Sequence, residues 1–161
     1  TKALIHEIIH FNSFQSIELV DPKAKALSSR RIGFEVHSDK KQKIFFRDIN
    51  EAITDELADR FFDEHFEMSE NSKPFQGSYY REERKKFNDL VKDIYEVNKD
   101  LEGFSSLEDV FNIFAQAVMT GKLLKAADLC EQTYGKGSFR EVGEWTEYGH
   151  EEEASENQEE E

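Results

Sequence analysis

The chain has 161 residues, a formal net charge of −14 and a single cysteine, Cys130. One cysteine excludes an intramolecular disulfide and a thiolate zinc cluster, and it fits a reducing cytosol. No apolar run approaches the roughly 18 residues of a membrane span, so we expect a cytoplasmic chain with no membrane partner.

The negative charge is concentrated at the C-terminal end. Residues 141–161 contain ten Glu and neither Lys nor Arg, which leaves −4 of the total −14 for residues 1–140. We predict a disordered acidic tail here, because the last residues carry no large apolar side chain. Upstream, eight bases against two acids give residues 23–47 a charge of +6, and nine acids against one base give residues 48–70 a charge of −8. The two segments are expected to neutralise each other within the fold.

The chain opens with two short apolar segments. Residues 3–11 fit either a helix or a strand, because their periodicity does not separate the two. Residues 15–20 alternate between polar and apolar side chains, which predicts a strand. A turn signal, Asp21-Pro22, follows.

The next region predicts a hairpin and a helix. Residues 31–37 and 42–49 have the composition of two strands joined by the polar residues 38–41. Asn50 is a favourable N-cap, so we expect a helix that begins there and runs to about Met68.

Beyond a linker predicted at residues 69–78, the pattern becomes helical. The first predicted helix carries Phe87 to Val97 and ends near Gly103. The second begins at a capping box formed by Ser105 and Glu108, and the third covers Lys122–Tyr134. Cys130 lies on the apolar side of the last helix, which predicts a core residue rather than a nucleophile.

Together these patterns predict an α+β protein. It should have a small antiparallel N-terminal sheet with a helix, then a helical C-terminal part. We divide the chain into an α+β N-terminal domain (1–72), a helical domain (73–140) and the acidic tail (141–161).

One motif points to specific chemistry. His6-Glu7-Ile8-Ile9-His10 matches H-E-x-x-H. On a helix this spacing places two imidazoles one turn apart, where they can hold Zn²⁺, and it places the glutamate as a general base.

A later segment, Ile49-Asn50-Glu51-Ala52-Ile53-Thr54-Asp55, resembles thermolysin-like zinc peptidases. In that family a glutamate on a later helix is the third ligand, and an aspartate four residues on supports a ligating histidine. The resemblance implies His6, His10 and Glu51 as ligands, Glu7 as the base and Asp55 as the support.

The helical wheel favours a metal-free interpretation of the same segment. The apolar residues Leu4, Ile5, Ile8, Ile9 and Phe11 fill one arc, and the two histidines fall on the polar side. If the apolar arc faces the core, both imidazoles lie on the surface. We therefore expect no cofactor, with zinc at His6, His10 and Glu51 as the alternative.

In size, acidity and Phe-, Lys- and Glu-rich composition, the chain is similar to the small host-takeover proteins of T-even bacteriophages, and among these to the inhibitor of the host Lon protease. The similarity implies a non-enzymatic protein of the host cytoplasm that binds an ATP-dependent protease and blocks degradation. It identifies no contact residues.

We therefore expect an interaction protein that binds and inhibits a larger macromolecular machine, with such a protease preferred as its partner. Two alternatives stay open: a small zinc metallopeptidase that uses the H-E-x-x-H motif, and a DNA mimic that blocks a nucleic-acid-binding protein. Direct binding of nucleic acid is not expected, and a homodimer is an open prediction.

Charge and expected exposure suggest which residues contact the partner. They are a basic hairpin (Arg30, Arg31, Lys40, Lys41 and Lys43) and two aromatic residues beside the tail (Trp145 and Tyr148). The plainer alternative for the aromatic pair is that it caps the folded body.

Overall fold

The computed structural model describes residues 2–21, 26–38, 43–66, 80–101 and 103–145. It confirms the predicted α+β class, with an antiparallel sheet of four strands in the order β1-β2-β3-β4. The elements, in chain order, are α1 (Lys2–Asn12), β1 (Gln15–Asp21), β2 (Ala26–Ile32), β3 (Glu35–Ser38), β4 (Lys43–Phe45), α2 (Arg47–His65), α3 (Arg81–Asn98), α4 (Leu107–Thr120), α5 (Leu124–Tyr134) and α6 (Ser138–Gly143).

The sheet is a meander whose turns were predicted only in part. A single strand over residues 31–37 is wrong, because a tight turn at Gly33 and Phe34 divides this segment between β2 and β3. Gly33 has a φ of +58°, and a Cβ at this position would lie 2.4 Å from Oδ1 of Asn50. Both the backbone conformation and the lack of space therefore require glycine.

The predicted helix start at Asn50 is also wrong. β4 ends at Phe45, and α2 begins at Arg47 after Phe46, which adopts a left-handed conformation with φ 61°. Asn50 is buried within α2, and its Oδ1 accepts a hydrogen bond of 2.9 Å from the backbone N–H of Phe34. Asn50 thus fastens the β2–β3 turn to α2 instead of capping the helix.

A hydrophobic core joins the N-terminal and C-terminal elements. Phe34 and Ile53 are fully buried together with Phe114, and Phe87 is 1% exposed in the same cluster. The ring centroids of Phe114 lie 5.9 Å from Phe34 and 5.5 Å from Phe87. The proposed boundary between residues 72 and 73 lies outside the described residues and stays a prediction, but side chains from both of its flanks share this core.

The C-terminal helices form where the periodicity predicts them, with shifted ends. The capping box of α4 uses Ser106 and Asp109 instead of Ser105 and Glu108. Cys130 is fully buried, and burial raises the pKa of its thiol to about 12, which confirms a core residue. Helix α6 was not predicted, and it places Val142 in the core, past the proposed start of the tail at residue 141.

Candidate metal centre

Helix α1 packs on α2 with its histidine side inward, contrary to the helical-wheel expectation. His6 is 7% exposed and is the only buried residue of α1, all of which lies in the described part of the chain. Leu4, Ile8 and Phe11 are 60%, 50% and 80% exposed. The expectation that the imidazoles face solvent from the outer side of the helix is therefore wrong. Of the apolar arc, only Ile5 and Ile9 are half-buried.

The inward face of α1 brings together the three proposed ligands. Nε2 of His6 lies 3.0 Å from Nε2 of His10 and 3.2 Å from Oε2 of Glu51. Nε2 of His10 lies 3.3 Å from the same Oε2. Two residues one turn apart on α1 and one residue of α2 thus form a compact triangle of donor atoms, although His10 and Glu51 are 41 positions apart in the sequence.

Hydrogen bonding alone satisfies this triangle poorly. Each Nε2 carries at most one proton, and a carboxylate carries none, so at most two protons would serve three contacts. If both imidazoles were protonated at Nε2, two N–H donors would face each other across 3.0 Å. A cation near the centre would instead contact a lone pair of every member. In an ideal tetrahedral zinc site the ligand atoms lie about 3.4 Å apart, because each bond is roughly 2.1 Å long.

The electrostatics of the cluster also suit a cation. Burial alone would raise the pKa of Glu51, but hydrogen bonds from the two imidazoles and Tyr80 outweigh it and lower this pKa to about 2. Burial alone would lower the pKa of His10, but the carboxylates of Glu51, Glu7 and Glu35 outweigh it and raise this pKa. The site therefore holds an ionised carboxylate and stabilises positive charge at His10.

Asp55 lies one turn after Glu51 on α2, as the thermolysin-like resemblance implies. Its Oδ1 is 3.8 Å from Nδ1 of His6, which is an electrostatic contact and too long for a hydrogen bond. Lys2 Nζ lies 3.1 Å from Oδ1, and Arg84 Nη1 lies 3.1 Å from Oδ2. The buried carboxylate is thus held from α1 and α3 and faces the far side of the His6 ring.

Tyr80 was missed by the sequence analysis. Its ring stacks on that of His6, with centroids 5.5 Å apart and planes 9° from parallel. Its hydroxyl hydrogen-bonds to Glu51, and burial together with that carboxylate raises the pKa of Tyr80 to about 12. No motif connects position 80 with the H-E-x-x-H segment, so only the tertiary structure reveals this contact.

An open cavity of about 610 Å³ lies against the cluster. Its polar lining includes His10 and Glu51 of the cluster, with Glu7, Gln15, Glu35 and Asn50, and its apolar lining is Ile8, Phe11 and Ile32. Glu7, the proposed base, therefore shares a cavity with two of the three proposed ligands.

The described residues among those proposed for partner contact lie on β2, at the start of β4 and after α6. Arg31 donates to two glycine carbonyls at 2.7 and 3.0 Å, so its guanidinium is engaged within the fold. Arg30 forms an ion pair with Glu18 of β1, and Lys43 is exposed at the start of β4. Trp145 packs against the core, as the capping alternative predicts.

The other proposed contacts, Lys40, Lys41 and Tyr148, lie outside the described residues. Most of the acidic tail, on which the DNA-mimic alternative depends, also lies there. Both remain predictions.

No family model, curated protein or solved structure matches this chain. The resemblances to a phage inhibitor and to zinc peptidases therefore stay predictions. Within the described ranges, no helix is both long and apolar enough to cross a membrane.

Proposed function

We propose that this protein is a zinc-dependent peptidase in which His6, His10 and Glu51 bind the metal. The observation that carries the proposal is the convergence of their three donor atoms, 3.0 to 3.3 Å apart, from two helices. Two histidines and a glutamate are a ligand set of catalytic zinc sites, which keep a further position open. The convergence favours this alternative over the metal-free interpretation of the helical wheel.

The chain also provides the other groups that peptide hydrolysis needs. Zinc, when bound, supplies a Lewis acid that activates water near neutral pH. Glu7 lines the cavity beside His10 and Glu51. In this proposal its carboxylate accepts the proton of the attacking water. Asp55 stabilises the orientation of the His6 ring from the side away from the donor triangle.

Metal analysis and a peptidase assay on matched variants test the proposal. After removal of all metal and addition of zinc, we expect one zinc per chain in the unmodified protein and in Glu7→Gln. His6→Ala and Glu51→Gln should lose it. His65→Ala, at the exposed C-terminal end of α2, is the matched control and should retain zinc.

Cleavage of a fluorescent unfolded protein should require zinc, and Glu7→Gln should reduce it by about 10²- to 10⁴-fold, the range for loss of a general base. If the zinc-loaded protein cleaves neither unfolded protein nor a peptide library, or if Glu7→Gln cleaves at the normal rate, the peptidase proposal is wrong.

A second candidate function is the binding and inhibition of an ATP-dependent, Lon-like protease. The observation that favours it is an apolar stripe of α1, formed by Leu4, Ile8 and Phe11, each at least half exposed. Ile8 and Phe11 of this stripe also line the cavity, whereas Leu4 does not. Exposed apolar side chains aligned along one helix are a feature of protein-binding surfaces.

This candidate predicts a different pattern among the variants. Purified Lon protease should degrade casein more slowly when the protein is added, and Phe11→Asp should relieve the inhibition. His6→Ala should inhibit as well as the unmodified protein if the stripe alone is responsible. Unimpaired casein degradation at a molar excess of the protein would reject this candidate.

A further inference from the structure

Asn50 has a side chain whose orientation is fixed by the fold. It immediately precedes the proposed ligand Glu51 and is 1% exposed. The backbone N–H of Phe34 donates to its Oδ1 at 2.9 Å. Since a backbone N–H can only face the amide oxygen, the bond also fixes the opposite position of the Nδ2 amide group.

The Nδ2 group of Asn50 has two protons to donate and uses neither within the described part of the chain. The nitrogen is not sealed from solvent. Asn50 lines the cavity beside the donor triangle, so a molecule in that cavity can reach it. Because this donor faces the cavity, water can accept its hydrogen bonds in the free protein, and a carbonyl oxygen of a ligand can replace that water.

We infer that Nδ2 of Asn50 binds a backbone carbonyl of a peptide substrate in this cavity. The inference rests on the proposed peptidase function and specifies the substrate. A neutral carbonyl suits the site, because the carboxylates of Glu7 and Glu35 in the same lining would repel an anionic acceptor. The apolar part of the lining, Ile8, Phe11 and Ile32, would contact a bulky apolar side chain of the same peptide.

The variant Asn50→Asp isolates the donor. It keeps an oxygen to accept the Phe34 N–H bond and removes the NH₂ group. Two probes are titrated into the zinc-loaded protein by calorimetry: acetohydroxamate, which chelates zinc and has no further carbonyl, and a leucine-containing dipeptide hydroxamate, which adds backbone carbonyls. The added negative charge of the variant acts on both probes, so acetohydroxamate serves as the internal control.

We expect Asn50→Asp to weaken the dipeptide hydroxamate about tenfold more than acetohydroxamate, the effect of one lost hydrogen bond. In the unmodified protein, the side-chain NH₂ signals of Asn50 in a ¹H–¹⁵N spectrum should move with the dipeptide probe and not with acetohydroxamate. This second measurement holds even if the variant does not fold.

The possible failures are distinguishable. If the zinc-loaded protein binds neither hydroxamate, the proposed metal centre itself is wrong. If both probes bind, and the variant weakens them equally or leaves both unchanged, or the NH₂ signals respond to both probes alike, then Asn50 does not bind the substrate carbonyl and the peptidase proposal stands without it.

Discussion

Two interfaces of α2 are built on different physical principles. Toward α3 and α4, α2 contributes Ile49 and Ile53 to a core of aromatic and aliphatic side chains. Toward α1 it presents Glu51, Asp55 and Asp59, which meet histidines and Lys2. Arg84 of α3 also pairs with both aspartates and so joins this polar cluster. The first interface is stabilised by removal of apolar surface from water, and the second by specific polar geometry. Truncation of a core side chain should therefore destabilise the apolar interface. Zinc binding and a change in the charge of a side chain should change the stability of the polar interface.

The largest expected effect is at the apolar interface. Phe114 is fully buried between Phe34 and Phe87, so Phe114→Ala should lower the free energy of unfolding by about 3–5 kcal/mol. Urea denaturation followed by circular dichroism measures it. Leu124→Ala, at a leucine that is 80% exposed, is the control and should change stability by less than about 0.5 kcal/mol. Similar losses in the two variants would mean that Phe114 does not lie in the core.

Zinc should have the next largest effect, at the polar interface. A ligand that binds only the folded state stabilises it by about 2.7 kcal/mol at one hundred times its dissociation constant. We expect zinc to raise the thermal midpoint of the unmodified protein and of His65→Ala, and to leave that of His10→Ala unchanged. Equal stabilisation of His10→Ala would place any zinc elsewhere in the molecule.

The same contrast explains what the sequence could predict. Phe87, Leu90, Val91 and Ile94 repeat with helical spacing, and they are buried because amphipathic periodicity directly reflects apolar burial. Helix α1 has an apolar arc too, but its members Leu4, Ile8 and Phe11 are exposed, so the helical wheel predicted the wrong orientation. Burial of His6 depends on partners in α2, which no local pattern reports.

The two proposed histidine ligands could be predicted from the H-E-x-x-H spacing, and Glu51 only from the resemblance of its segment to thermolysin-like peptidases. The cavity and Tyr80 could not be predicted, since both depend on how separate elements meet. The Gly33 turn was missed because residues 31–37 alternate like one continuous strand.

The stability contribution of His10 in the zinc-free protein and the affinity for zinc should change with pH in opposite directions. The pKa of His10 is raised in the folded protein, so its contribution to stability is complete below the unfolded value near 6.5 and is lost as pH rises through the folded value. Zinc requires the neutral imidazole, so zinc affinity should instead increase with pH, by at most about tenfold per unit for each proton released, until His10 is deprotonated.

Thermal unfolding from pH 6 to 8, with and without zinc, measures both trends. The zinc-free protein should lose this contribution of His10, while the stabilisation that a fixed zinc concentration adds should grow. His10→Ala should remove both trends. An added stabilisation that falls with pH would show that zinc does not compete with a proton at this imidazole.

The smallest expected effect concerns the apolar stripe of α1. Phe11 is 80% exposed, so Phe11→Ser should change the free energy of unfolding by less than about 0.5 kcal/mol, as measured by urea denaturation. A phenylalanine packed in a core would lose several times more, as we expect at Phe114. If Phe11→Ser cost more than about 2 kcal/mol, α1 would be docked through its apolar side. His6 and His10 would then face away from Glu51, and the donor triangle could not form.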